Sequence, residues 1–149
     1  MAKENFHSDG WLLINKPQGI ESFGVIRKLK FRYSFKKIGF AGTLDPLASG
    51  LLLVGINKAT KKIPNIHQEK KSYEVEIRFG ASTNTLDSEG RFFKMETSSH
   101  NINERALHLK KFIGTYQQKI PDFSAHKLNG KNFYELARDN KAIEGRYKK

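Results

Sequence analysis

The hydrophobic and polar positions of the chain open with a short apolar run, Trp11-Leu12-Leu13-Ile14, closed by Pro17-Gln18-Gly19. Such a run ending in a proline and a glycine predicts a strand followed by a turn. From residue 21 to residue 37 the period changes. Val25, Ile26 and Leu29 recur at helical spacing, Arg27, Lys28, Lys30 and Arg32 line the remainder, and Ser22 stands where an N-cap belongs. Residues 50–56, "GLLLVGI", are apolar throughout and of strand length, which predicts a buried strand. Residues 57–66 predict a short helix cut off by Pro64.

The clearest alternation lies in residues 71–83. Tyr73, Val75, Ile77 and Phe79 alternate with Glu74, Glu76 and Arg78, the pattern of a strand with one buried and one wet face. Residues 86–95 continue it as a turn and a second strand, a hairpin. Residues 103–114 predict an amphipathic helix capped by Asn103 and stopped by Gly114. Residues 115–140 give a strand, a loop, an Asn129-Gly130 turn and a last short helix. The chain shows no internal repeat, low-complexity tract or linker. The fold class expected is α+β, a mixed and largely antiparallel sheet with flanking helices, in one domain spanning residues 1–149.

Charge adds a partner to this picture. A net charge of +12 and a pI near 9.9 point to a polyanion, nucleic acid before membrane. No apolar run reaches the ~18 residues of a membrane span, and the N-terminal residues lack a signal-peptide apolar stretch, so a cytoplasmic location is expected. The absence of cysteine removes disulfides, thiol catalysis and cysteine zinc sites. The five histidines are scattered without metal-ligand spacing, so no metal is expected. The glycine-rich stretch 39–50 ends in neither a P-loop nor a dinucleotide pattern, and no serine elbow is present.

What remains is Asp45, an acid between Gly42 and Gly50 with Pro46 directly after it. Asp before Pro commonly accepts backbone N–H bonds and caps a turn. The alternative is a nucleophile or base, held in a loop that a polyanion approaches closely, with the basic run 27–37 supplying phosphate contacts. That run also fits a solvated helix face, and Tyr73 fits a core aromatic as well as a base-stacking wall.

Taken together, "GTLDPLASG", preceded by "INKPQG" and followed by "KKSYEVEIRFG", resembles the TruB-type tRNA pseudouridine(55) synthases. "DSEGR" and "SAHKLNGKNFYELAR" are similar to further segments of that family, the second belonging to a substrate-gripping insertion. The resemblance implies a pseudouridine synthase-like catalytic domain in which Asp45 is the catalytic aspartate and Tyr73 packs on the target base. Lys71, Lys16 and Phe40 are then expected at the substrate. The implied reaction flips a uridine out of the tRNA T-arm, breaks its N-glycosidic bond, rotates the uracil and rejoins it through carbon, without a cofactor. Asp45 either attacks the sugar or deprotonates it on the way to a glycal.

Two features depart from the family pattern. Phe40 stands where the family commonly has histidine, so the side chain there stacks but forms no hydrogen bond. The family's C-terminal half has no counterpart in residues 1–149: neither the strand whose arginine pairs with the aspartate nor the RNA-binding domain. A missing C-terminal half or a second chain is therefore an expected partner, beside tRNA. The other reading is a truncated, non-catalytic, basic RNA-binding remnant. A relative guided by a separate RNA ranks below both.

Overall fold

The computed structural model describes residues 4–95, 101–124, 126–128, 130–138 and 147–148. The chain divides into two units, Met1–Glu74 and Val75–Lys149.

The first unit contains, in order, β1 (Glu4–Asn5), β2 (Gly10–Lys16), α1 (Ser22–Arg32), β3 (Tyr33–Ser34), β4 (Ile38–Ala41) and β5 (Gly50–Ile56). A 3-10 turn, Asn57–Lys62, then leads into α2 (Ile63–Ile66). The apolar run of β5 takes the centre of a three-stranded antiparallel sheet, with β2 and β4 on either side. Gly10 faces Ile56 and Lys16 faces Gly50 across the first ladder; Ile38 faces Ile56 and Ala41 faces Leu53 across the second.

This register puts Leu52, Val54, Leu12, Ile14, Ile38 and Phe40 together, and α1 lays Val25 and Ile26 on them. Fully burying such a side chain contributes about 1.5–3 kcal/mol, so Val25, Ile26, Leu52 and Val54, with the partly buried residues around them, are the main support of the unit. The expected burial of β5 holds for one face: Leu52, Val54 and Ile56 are buried while Leu51 is exposed.

Several local expectations are corrected. Helix α1 ends at Arg32, not at residue 37, because Tyr33 turns to extended backbone (φ −121°, ψ 151°) and pairs in parallel with β1. Its N-cap is Glu21, without a side-chain capping bond, and the Ser22 hydroxyl is engaged elsewhere. Pro64 does not cut a helix off. It is the second residue of α2, within the first turn where no intrahelical N–H is required. Strand β4 has no signal in the sequence, since four residues with a glycine among them give no periodicity. Gly39 there serves packing: a Cβ at that position would stand 3.1 Å from Ile63 Cδ1 of α2.

The second unit contains β6 (Ala81–Thr83), β7 (Phe92–Met95), α3 (Ile102–Lys110), β8 (Gln118–Lys119), β9 (Lys127–Leu128), β10 (Lys131–Asn132), α4 (Phe133–Arg138) and β11 (Tyr147–Lys148). The expected hairpin forms between β6 and β7, antiparallel and with a bulge at Ser82/Thr83. The expected long strand does not. Residues 71–78 have no strand partner among the described residues, and Val75 and Ile77 are exposed. Alternation prepares a segment for a ladder, but the ladder needs a second strand.

Helix α3 starts earlier than expected. Asn101, not Asn103, is its cap, accepting from the N–H groups of Asn103 (3.0 Å) and Glu104 (3.1 Å). The Glu104 carboxylate accepts in return from the Asn101 N–H at 3.2 Å, completing a capping box. The helix ends at Lys110, before Gly114, and its apolar residues Ile102 and Leu107 are exposed. β9 and β10 pair antiparallel, with Gly130 between them at φ +84°; Asn129 of the expected turn lies outside the described residues, as do residues 139 and 140 of the expected final helix. Only the short β1–β3 pair is parallel, so the described strands and helices make an α+β fold with largely antiparallel pairing.

Candidate active site

The loop between β4 and β5, residues 42–49, carries Asp45 with its side chain exposed. Gly42 (φ +77°) and Gly50 (φ +128°) bracket it in backbone conformations that residues with a Cβ rarely adopt. Inside the loop, the Ala48 N–H donates to the Asp45 carbonyl at 3.0 Å and closes a turn over Pro46 and Leu47. Asp45 is thus part of a turn through its backbone, while its carboxylate has no hydrogen bond or ion pair among the described residues.

Two outside elements hold this turn in place. The Ser22 hydroxyl, 2% exposed at the start of α1, donates to the Leu44 carbonyl at 2.9 Å and accepts from the Leu44 N–H at 2.9 Å. The Gly19 N–H donates to the Pro46 carbonyl at 2.8 Å. Leu44 also packs against the core cluster. The residues on either side of Asp45 are therefore tied down, and its carboxylate faces solvent.

Lys16 lies behind this arrangement. It is fully buried, and its ammonium donates to the carbonyls of Pro17 (3.0 Å) and Ile20 (2.7 Å). A buried ammonium is tolerable only when hydrogen-bonded, and here its donors shape the turn from which Gly19 reaches Pro46.

Lys71 comes to the same loop from a distant part of the sequence. A Cβ built at Gly42 would lie 4.0 Å from Lys71 Cε, so the lysine stem runs beside the loop's first glycine. Its ammonium donates to the carbonyls of His67 (3.0 Å) and Glu69 (2.9 Å). Tyr73 follows two residues later, 69% exposed and without a hydrogen bond or ring contact among the described residues. Phe40 is half-buried opposite Val54 and packs against the core cluster. The structure thus joins Lys16, through its turn, and Lys71 to the Asp45 loop; no described contact does the same for Tyr73 or Phe40.

The basic residues Arg27, Lys28, Lys30 and Arg32 are exposed on α1. Arg27 lies over the Phe23 ring at 5.6 Å and pairs with Glu21 at 3.7 Å, both largely solvated and therefore worth little to stability. Sequence reasoning missed the roles of Ser22 and Leu44. A serine at a helix start reads as a local cap, and no spacing rule points to a partner 22 residues away.

A family model, TruB family pseudouridylate synthase (N terminal domain), matches residues 29–149. The chain belongs to this family. Asp45, Phe40, Lys71 and Tyr73 lie within the matched TruB residues, and Lys16 precedes them. The tRNA pseudouridine synthase B of Fusobacterium nucleatum subsp. nucleatum is 44% identical over 139 residues, 91% of this chain and 47% of that protein. That of Ruegeria sp. (strain TM1040) is 41% identical over 135 residues, 91% of this chain and 45% of that protein. That of Ureaplasma urealyticum serovar 10 is 43% identical over 134 residues, 89% of this chain and 58% of that protein. The chain spans about half the length of these relatives. Among its described residues no helix is long and apolar enough to cross a membrane.

Proposed function

We propose that residues 1–149 form the N-terminal part of a pseudouridine synthase catalytic domain that isomerises uridine-55 in the T-loop of tRNA. The observation carrying this reading is the solvent-facing Asp45 carboxylate on a turn fixed from both sides by Ser22 and Gly19. A carboxylate that merely caps a turn spends its oxygens on nearby N–H groups. This one does not, so it is open to a substrate.

In the proposed reaction the uridine leaves its stack, at an unstacking cost of a few kcal/mol, and its ribose meets Asp45. Tyr73 supplies the aromatic wall for the flipped uracil, and the exposed α1 cations contact phosphate. Lys71 borders the loop, Lys16 acts through the turn it shapes, and Phe40, half-buried on β4, would act at the substrate by stacking. The glycosidic C1′–N1 bond breaks, uracil rotates, a C1′–C5 bond forms, the C5 proton is released and N1 takes up a proton from solvent, so that the product is an isomer of the substrate. Asp45 serves as nucleophile at the sugar or as base toward a glycal; either route needs it ionised and positioned. The resemblance further implies that an arginine from the family's C-terminal half, or a second chain, pairs with it. The setting proposed is the cytoplasm.

Tritium release from tRNA carrying C5-labelled uridine tests this. The chain is joined to the C-terminal half of the Fusobacterium relative and assayed with and without Asp45→Asn. Turnover that depends on Asp45 is expected. Robust tRNA binding with no turnover in the joined protein would favour the RNA-binding remnant instead.

A further inference from the structure

The segment just ahead of β6 carries the sequence of a strand without a ladder. Val75, Ile77 and Phe79 alternate with Glu76 and Arg78, and all five belong to the second unit. Residues 75–78 enter no strand pairing and make no backbone hydrogen bond among the described residues. Their side chains are exposed, and Phe79 keeps 39% of its surface open. A row of open N–H and C=O groups beside apolar side chains is a template for another strand.

Charge decides which strand it accepts. The chain as a whole carries +12, so two copies repel at long range. Residues 75–79 are different, because one acid and one base leave them neutral. Neither Glu76 nor Arg78 has an ion-pair partner among the described residues.

In an antiparallel pair related by a two-fold axis, the residue on the axis faces its own copy and its neighbours face one another reciprocally. With Ile77 on the axis, Glu76 of each copy faces Arg78 of the other, and Val75 faces Phe79. Both charge pairs are then favourable, and the apolar side chains gather on one face. With Glu76 on the axis, two carboxylates face each other. With Arg78 there, two guanidinium groups do. With Val75 there, Glu74 faces Glu76 on both sides. Like charges directly opposite are destabilising, so among these registers the segment selects the one centred on Ile77.

We propose that residues 75–79 pair antiparallel with the same residues of a second copy of this chain, with Ile77 on the two-fold axis. The occupant is a second copy because the acid and base of the segment complement each other across that axis. A contact of five residues a side lies below the roughly 1,200 Å² of stable complexes, so the dimer is weak and concentration-dependent. This pairing is independent of the isomerase reading of Asp45.

Covalent trapping suits a weak dimer, and the chain has no cysteine to interfere. Val75→Cys, Glu76→Cys, Ile77→Cys and Arg78→Cys are made singly in the full chain and oxidised with diamide at equal protein concentration. Each rate of dimer formation is divided by the rate at which iodoacetamide alkylates the same variant, which removes differences in thiol reactivity. All four positions are exposed, so the variants should melt like the parent. Only Ile77→Cys sets its two thiols directly opposite each other, and it should cross-link at least about tenfold faster than the other three. In the Ile77→Cys background, Glu76→Arg should slow cross-linking by about three- to tenfold, and adding Arg78→Glu should restore it, because the reciprocal pairs return with their signs exchanged. Equal normalised rates at the four positions, or no linkage at any, would overturn the proposal. So would fastest linkage at Glu76→Cys, which would mark another register, or failure of the charge exchange to restore the rate. Absence of linkage at Ile77→Cys, combined with its protection from iodoacetamide once the chain is joined to a relative's C-terminal half, would assign the segment to that half instead.

Discussion

The Ser22 hydroxyl holds the Leu44 peptide at both ends, donating to its carbonyl and accepting from its N–H, each at 2.9 Å. This one side chain couples the start of α1 to the residue before Asp45. Ser22→Ala leaves both groups of Leu44 without their partner, next to a buried position. A loss of about 1–3 kcal/mol is expected in denaturant melts. Ser22→Thr keeps the hydroxyl and should lose less. A Ser22→Ala midpoint equal to that of the parent would show that water replaces the hydroxyl without cost.

Lys16 supports the same loop from beneath. Lys16→Met keeps the length of the side chain but leaves the carbonyls of Pro17 and Ile20 without a donor. Destabilisation of about 1–3 kcal/mol is expected, with faster hydrogen exchange at the Gly19 amide, whose bond to Pro46 depends on the turn. Unchanged exchange at Gly19 would mean that the turn holds its shape without the lysine.

Asp9 gives the chain an acid-sensitive element. The bond from the Lys58 N–H comes first among the causes that hold its carboxyl below the usual carboxylate value. A group whose folded pKa is depressed contributes stability that is present above its unfolded pKa and is lost as pH falls through the folded one. Its contribution should therefore be complete at neutral pH and disappear below about pH 4. Asp9→Asn should lower stability at pH 7 more than at pH 3, as read from denaturant midpoints. An equal effect at both pH values would contradict this sign.

The uncovered alternation in residues 71–78 should affect solubility. Val75 is 70% exposed and Ile77 is 52% exposed, an apolar row that invites association. The double substitution Val75→Lys/Ile77→Lys should raise the concentration at which light scattering sets in and leave the melting curve nearly unchanged. A marked loss of stability would show that these side chains are buried in solution.

The parts of the fold that were legible in the sequence are those decided by local pattern. The apolar runs at Trp11–Ile14 and Gly50–Ile56 carry their own strand signal, and Val25 and Ile26 mark the buried face of α1. Gly130, at φ +84° between β9 and β10, stands where turn chemistry puts a hairpin. What was not legible depends on partners far along the chain. Ile38–Ala41 becomes a strand because β5 offers it a ladder, and residues 71–78, with a far better pattern, find none among the described residues. At the site, Asp45 stood out because glycines and a proline frame it. Its anchors at Ser22 and Gly19 are backbone-directed bonds that leave no spacing in the sequence.

The central claim is that the Asp45 carboxylate is the reactive group on a preformed turn. It has no cationic partner among the described residues, so the chain alone should turn over tRNA slowly. A missing charge-assisted partner typically removes about 2–4 kcal/mol of transition-state stabilisation, or roughly two to three decades in rate. The most direct measurement is tritium release from C5-labelled tRNA by the chain joined to a relative's C-terminal half, compared with its Asp45→Asn variant at matched tRNA occupancy. Asp45→Asn removes no bond seen in the structure and should shift stability by less than about 0.5 kcal/mol while abolishing release. Release by the variant at a rate near that of its parent would contradict the account.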